Sequence, residues 1–240
     1  MVRVLVTRPE PGASRTMRRL EDEEFQPILL PLTETVALPV DADRVTTNAA
    51  AVAVTSANAV RHAPKEIIAG LAALPCYAVG KRTAEAARAA GFLSVSEGPG
   101  DAEALADALA GGFMAKTIIY LCGRVRFPVF EARLKAAGVH VSVSAIETYD
   151  TVTLDYSDAA ILARLSGQPV KAVLLYSARA AAAMQALTGR PALRGLFEET
   201  WFFVLSGRIA AALETVASEK LRVAPEPSEE ALLQLLRTWR

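Results

Sequence analysis

Six short segments carry the residue types that could do chemistry. They are Thr7-Arg8-Pro9, Thr55-Ser56-Ala57-Asn58, Gly80-Lys81-Arg82-Thr83, Cys122-Gly123-Arg124, Ser177-Ala178-Arg179 and Ser206-Gly207-Arg208. Nearly all place a small or hydroxylated residue beside a cation. Small residues leave backbone N–H groups open at the start of a helix, and hydroxyls and cations add donors, so the shared chemistry is anion binding. Several such segments imply a ligand with several negative groups. The candidates for contact are Thr7, Arg8, Ser56, Asn58, Lys81, Arg82, Thr83, Gly123, Arg124, Ser177, Arg179, Ser206 and Arg208. A Ser or Thr at such a place also caps a helix with no ligand at all, which is the commoner reading of any single segment. The repeated cations argue otherwise, because a positive charge at a helix N-terminus opposes the macrodipole. One further residue stands out: Tyr149, in Glu147-Thr148-Tyr149-Asp150-Thr151. A phenol can donate a proton to a departing oxygen. On strand periodicity alone, packing is its stronger role.

Other chemistries are missing their signatures. After the first apolar run the chain reads Thr7-Arg8-Pro9-Glu10-Pro11-Gly12, with no dinucleotide fingerprint. No P-loop and no nucleophile elbow occurs, and no carboxylate pair stands out as an acid–base couple. Cys76, Cys122, His62 and His140 lack metal-ligand spacing, so no metal is expected, and the cysteines read as buried or loop thiols. A reaction without cofactor, or plain binding, is what remains. Lys plus Arg and Asp plus Glu both number 26, so the chain lacks the basic excess of a non-specific nucleic-acid binder. A specific small ligand or a partner protein is expected, with no nucleic acid and no membrane. No secretory leader and no long apolar run is apparent, which makes the cytoplasm the expected compartment; nothing in the sequence demands a dimer, and a monomer is expected.

The elements that must hold these residues are legible as apolar runs. Strands are expected at Val2–Thr7, Gln26–Leu30, Ala51–Thr55, Cys76–Val79 and Leu93–Ser96. In the second half they are expected at Lys116–Leu121, His140–Ala145, Val170–Leu175, Trp201–Leu205 and Leu221–Ala224. Helices include Gly12–Leu20 and Val129–Ala137. Strand, small polar turn, helix, repeated, is the pattern of a parallel sheet covered on both faces. The halves match in order. Val4-Leu5-Val6-Thr7 corresponds to Ile118-Ile119-Tyr120-Leu121, and Glu34-Thr35 to Glu147-Thr148. Val54-Thr55-Ser56-Ala57-Asn58-Ala59 corresponds to Leu175-Tyr176-Ser177-Ala178-Arg179-Ala180, and Tyr77–Ala84 to Phe203–Ala210. A duplication with about five βα units per half fits a flavodoxin-like lobe. Two extended stretches, Leu32–Val40 and Ala145–Leu154, break the rhythm at equivalent places and could pair as a connector between lobes.

Val4-Leu5-Val6-Thr7-Arg8-Pro9, Val54–Val60, Ala78–Ala84 and Tyr149-Asp150-Thr151 resemble uroporphyrinogen-III synthases in order and spacing, over almost the whole chain. The resemblance implies an α/β protein of two flavodoxin-like lobes, parallel sheets flanked by helices, that exchange segments. Residues 1–34 and 153–240 would form one lobe and 39–146 the other, with 35–38 and 147–152 as a two-stranded connector. It also implies a substrate, the linear tetrapyrrole hydroxymethylbilane with its several carboxylates, held between the lobes. The implied reaction is loss of a terminal hydroxyl as water and ring closure with inversion of the D ring, without metal or cofactor. Tyr149 matches the family's connector tyrosine, the usual candidate proton donor. Thr83 matches a threonine that faces the substrate, and Ser56 and Ser177 match small polar loop positions. Two residues depart from the pattern: Ile209 stands where a threonine is frequent, and Cys122 where Pro or Arg is more usual. Those departures motivate an alternative, a non-catalytic or degenerate two-lobed protein that binds an anionic ligand.

Overall fold

In the computed structural model, which describes residues 1–41, 45, 48–112, 116–136 and 142–239, the apolar runs become short parallel strands. In chain order the elements are β1 (Arg3–Val6), α1 (Gly12–Asp22), β2 (Gln26–Leu29), β3 (Thr33–Ala37), β4 (Ala49–Val54), α2 (Ala57–Arg61), α3 (Lys65–Leu71), β5 (Cys76–Ala78), α4 (Lys81–Ala90), β6 (Val95–Glu97) and α5 (Ala102–Ala110). The chain continues through β7 (Thr117–Gly123), α6 (Val129–Ala136), β8 (Ser142–Thr153), α7 (Asp158–Arg164), β9 (Ala172–Leu175), α8 (Ala178–Thr188), α9 (Arg194–Phe197), β10 (Trp201–Val204), α10 (Gly207–Ala210), β11 (Leu221–Val223) and α11 (Glu229–Trp239). It divides into two compact units: Met1–Glu34 with Val152–Arg240, and Thr35–Thr151.

The first unit holds a sheet of order β11-β10-β9-β1-β2, all parallel. Counted along its own path this is the flavodoxin-like order, in which the second strand lies outside the first and the last three follow on the other side. The strands are short, continuous apolar runs because both faces are covered. Leu5, Val173, Leu175, Phe202 and Val204 pack on one face with residues of α7 and α8. Val4, Val6, Ala172, Leu174 and Phe203 pack on the other with residues of α1 and α11.

The second unit repeats the order with different pieces: β8-β7-β4-β5-β6, with β3 added outside β8. Val52, Val54, Ile119 and Leu121 face α2, α3 and α4. Ala53, Ile118, Tyr120 and Cys122 face α5 and α6. Strands β1 and β2 of the first half thus complete the sheet of β9, β10 and β11, while β7 and β8 of the second half complete that of β4, β5 and β6. The α/β class, the duplication and the exchange of segments are present as the sequence suggests. Cys76 and Cys122 are buried. Burial pushes both thiols up to about 12, so they act as apolar filling. Among the described residues no helix is long and apolar enough to cross a membrane, and no three His, Cys, Asp or Glu side chains converge as metal ligands would.

One element differs from expectation. The second strand of the second half and the extended stretch after it are a single strand, β8, of 12 residues. Ser142 to Thr153 contains neither Gly nor Pro, so nothing interrupts it. Its first part pairs with β7, and β3 pairs along its other side. Leu154 N–H donates to the Leu32 carbonyl and Leu38 N–H to the Thr148 carbonyl, the crossed pattern of antiparallel neighbours. The start expected for this strand (His140), and the expected helix end at Ala137, lie outside the described residues.

The central place of β1 gives a direct test. Leu5 is fully buried. Leu5→Ala should lower the unfolding free energy by about 2–5 kcal/mol, read as a lower urea midpoint with an unchanged slope. A loss below about 1 kcal/mol would contradict the core position of this strand.

Candidate active site

Parallel strands place all their carboxyl ends on one edge of a sheet, where polar turn residues can meet. In the second unit that edge carries Tyr149 on β8, Gly123 and Arg124 at the end of β7, Thr55 to Asn58 after β4, and Lys81, Arg82 and Thr83 after β5. The register Val54↔Leu121 sets Ser56 and Gly123 at the same height, each two residues further on, and Gly123 in turn pairs with Tyr149. The Tyr149 side chain lies across Gly123 and its hydroxyl donates to Ser56 Oγ at 3.1 Å. Ser56 is the N-cap of α2, and its Oγ also accepts from the Asn58 N–H at 3.3 Å. Next to it, Thr55 Oγ1 and the Tyr120 hydroxyl are 2.6 Å apart. Burial pushes the Tyr120 phenol up to about 12, with the Thr55 hydrogen bond working against that rise, so this tyrosine holds the loop and keeps its proton. Tyr149 is only partly buried and reaches the edge.

The charges around Tyr149 are balanced internally. Arg124 Nε lies 3.4 Å from Glu147 and its Nη1 lies 3.7 Å from Asp150, with the Arg124 side chain 55% exposed. Arg126 bonds Glu131 at 2.7 Å, Glu147 at 3.1 Å and the Gly123 carbonyl at 3.1 Å. Lys81 and Arg82 are exposed in the first turn of α4, whereas Thr83 in the same turn is buried. Gly123 is buried beneath the Tyr149 ring rather than open in a loop.

The first unit has its own carboxyl edge, with Thr7 and Arg8 after β1, Ser177 and Arg179 after β9, and Ser206 and Arg208 after β10. Thr7 is fully buried, and its hydroxyl donates to the Leu174 carbonyl at 2.7 Å. Ser177 caps α8 by accepting from Ala180 N–H at 3.2 Å. Ser206 occupies the N-cap of α10 without a side-chain cap bond, and Arg208 is exposed beside it. Arg179 is half-buried in the first turn of α8. Arg8 has partners within its own unit. It turns inward, 3.1 Å from Glu229, with its guanidinium 4.2 Å from the Tyr176 ring centroid and its side chain only 16% exposed. Gly12 makes room for it, since a Cβ there would collide with the guanidinium. Glu229 opens α11, where a negative charge complements the helix dipole. It also accepts from Thr16 and lies 3.1 Å from Arg15. Burial alone would raise the Glu229 carboxyl, but the Thr16 hydrogen bond and the charges of Arg8 and Arg15 outweigh it and hold the group below the usual carboxylate range.

Two readings of the departures change accordingly. Ile209 is buried in the core of the first unit, so its difference from threonine is a packing choice. Cys122 lies inside β7 and packs against the α5–α6 layer. Sequence reasoning also missed Arg126, Glu147, Thr148, His62 and Glu229. The His62 ring lies 6.1 Å from that of Tyr149, and burial, then the charge of Arg61, holds its imidazole below the ordinary range. Glu147 was obscured by the bulge: alternation would set it on the face of Tyr149, but Cys122 pairs with Glu147 and Gly123 with Tyr149, so the two side chains point to opposite faces. Glu229 carried no signal, because its partner Arg8 is 221 residues away.

Two mostly parallel sheets of flavodoxin-like order, made by exchange between duplicated halves and lined at their carboxyl edges with hydroxyls and cations, define a duplicated α/β protein of the flavodoxin-like type. A model of the uroporphyrinogen-III synthase HemD family matches residues 14–234, and the chain belongs to that family. The fold agrees. A uroporphyrinogen-III synthetase from Helicobacter pylori is 18% identical over 100% of both chains with a TM-score of 0.65. A mutant uroporphyrinogen III synthase from Thermus thermophilus is 17% identical over 99% of this chain and 98% of that one, with a TM-score of 0.54. No curated protein sequence matches the chain.

The Glu229 cluster predicts a pH dependence. A carboxyl whose folded pKa is depressed stabilises the fold fully above its unfolded value of about 4.3, and that contribution is lost as pH falls through the folded value. Urea midpoints of wild type and Glu229→Gln should therefore differ most at neutral pH and converge in acid. A gap that stayed constant with pH would contradict the ion-paired state.

Proposed function

We propose that this chain converts hydroxymethylbilane to uroporphyrinogen III as a cofactor-independent hydro-lyase, with Tyr149 as the proton donor. The carrying observation is the partly buried Tyr149 hydroxyl held 3.1 Å from Ser56 at a sheet's carboxyl edge, in a chain matched to the family over residues 14–234. The chemistry asks little of a protein. Electron release from the pyrrole nitrogen weakens the bond to the terminal hydroxyl, so a positioned acid completes the departure. The Tyr149 proton goes to that hydroxyl, the C–O bond breaks, and water leaves. The freed methylene bonds to the substituted α-carbon of the terminal pyrrole, the bond from that carbon to its old methylene breaks, and that methylene bonds instead to the pyrrole's free α-carbon, which inverts the ring. The proton lost from that carbon restores the phenol.

In the second unit, carboxylates of the substrate would be held by Lys81, Arg82 and Arg124, with Ser56 and Asn58 as hydrogen-bonding partners; Ser177, Arg179, Ser206 and Arg208 offer the same chemistry at the first unit's own edge. Thr7, Arg8 and Thr83 drop out of direct contact in this reading. The Thr7 hydroxyl is committed to Leu174, Arg8 to Glu229, and Thr83 is buried. Gly123 contributes as the floor under Tyr149. The reading takes the enzyme as a monomer in the cytoplasm. A non-catalytic anion-binding role loses its footing, since the departure that motivated it, Ile209, belongs to the core.

The test is product analysis. Supplied with hydroxymethylbilane, the protein should yield the type III isomer faster than the spontaneous type I product forms. Type I alone, at the spontaneous rate, would refute the activity. Tyr149→Phe should lower turnover at least about tenfold, equivalent to about 1.4 kcal/mol of barrier, and an unchanged rate would return Tyr149 to a packing role.

A further inference from the structure

The path from Tyr149 to Ser56 crosses a strand. Strand order at this edge is β8-β7-β4, so a side chain from β8 must pass over the end of β7 to reach the residue after β4. Two features make that passage. The first is an irregularity: Cys122 pairs with Glu147 but Gly123 pairs with Tyr149, so Thr148 is an extra residue in β8. Such a bulge re-aims the side chains around it. Its extra residue is anchored, because the Thr148 side chain is fully buried and its hydroxyl donates to the Ala59 carbonyl at 2.6 Å. Ala59 lies in the last turn of α2, where a carbonyl lacks the N–H four residues on that an interior one would have within the helix. One helix is therefore held at both ends by neighbouring residues of β8, with Tyr149 on its N-cap and Thr148 at its last turn.

The second feature is space. A Cβ on Gly123 would lie 2.7 Å from Tyr149 Cζ and 2.9 Å from its hydroxyl oxygen. Gly123 does not have a left-handed backbone, so the requirement is for room and not for conformation. The group that would have to yield is the free end of a side chain, which can move at little cost to the fold while leaving Ser56.

We propose that Gly123 and Thr148 are positioning residues that set the Tyr149 hydroxyl on Ser56, an inference that rests on the reading of Tyr149 as proton donor for its effect on rate. Neither need touch substrate. Gly123 clears the path and Thr148 fixes the bulge that aims the ring.

The experiment combines turnover with a probe of the ring itself. Protein labelled with 13C at tyrosine Cζ gives one resonance for Tyr149, identified by its loss in Tyr149→Phe. Gly123→Ala should shift that resonance and lower kcat about tenfold or more, with KM within about twofold and Tm within about 4 °C of wild type. Thr148→Val should shift the same resonance and lower kcat, and Thr148→Ser, which keeps the hydroxyl, should restore both. In a Tyr149→Phe background, Gly123→Ala should cost nothing further. A Tyr149 resonance and kcat unchanged in Gly123→Ala would overturn the proposal. So would an equal loss of turnover with and without the Tyr149 hydroxyl. If Tyr149→Phe turns over normally while Gly123→Ala still moves the resonance, the proton-donor reading falls and the positioning role stands.

Discussion

The parallel pairing of β4 with β7 is the constraint on which the site in the second unit depends. Its register sets Ser56 level with Gly123. Adjacent strands lie about 4.8 Å apart, so a side chain starting one strand further out can span the gap only if the strand between offers no side chain there. Gly123 meets that condition, and Tyr149 uses it. A slip of one residue between β4 and β7 would turn the alternate faces of a sheet packed on both sides and would place Cys122 or Arg124 in the path. The hydrophobic packing of Val52, Val54, Ile119 and Leu121 against α2, α3 and α4 therefore also fixes the position of a polar group at the edge.

Exchange between the duplicated halves follows from the same kind of pairing. The first two strands of each half join the last three of the other, with β3 added at the outside of the second sheet. The core is continuous across pieces distant in sequence, so neither half is complete alone. This also explains why the edges are polar. Several strands lead through a small or hydroxylated residue into a helix, and Ser56 and Ser177 satisfy backbone N–H groups there. Several cations at these edges are balanced by carboxylates arriving from other elements: Glu229 for Arg8, Glu147 and Asp150 for Arg124. The argument that cations at helix starts must await a ligand is thus weakened for Arg8, and for Arg124 the half-exposed side chain leaves room for exchange of partners.

Much of the fold was legible because buried parallel strands leave a simple trace. Val4-Leu5-Val6 and Ala172–Leu175 are unbroken apolar runs with both faces covered, and each is followed by a small polar turn. Strand exchange was legible only through resemblance, since periodicity says which residues are buried and not which strand is the neighbour. The continuity of β8 was hidden because a strand that changes partners midway alters its pattern without a turn. Tyr149 was visible as a residue, but its reach was not. That depends on a bulge at Thr148 and a missing side chain at Gly123, both products of register. The burial of Thr83 and Ile209 was hidden for a related reason: a residue just inside a helix start can face the core as easily as the edge.

The central claim is that Tyr149 donates the proton that releases water. The most direct measurement replaces it with a series of fluorinated tyrosines, which change the acidity of the phenol with little change in shape. Below the pKa of each phenol, the rate of type III product formation should rise steadily as the phenol becomes more acidic, as expected when the group donates a proton in the rate-limiting step. A rate indifferent to phenol acidity across the series would contradict that role.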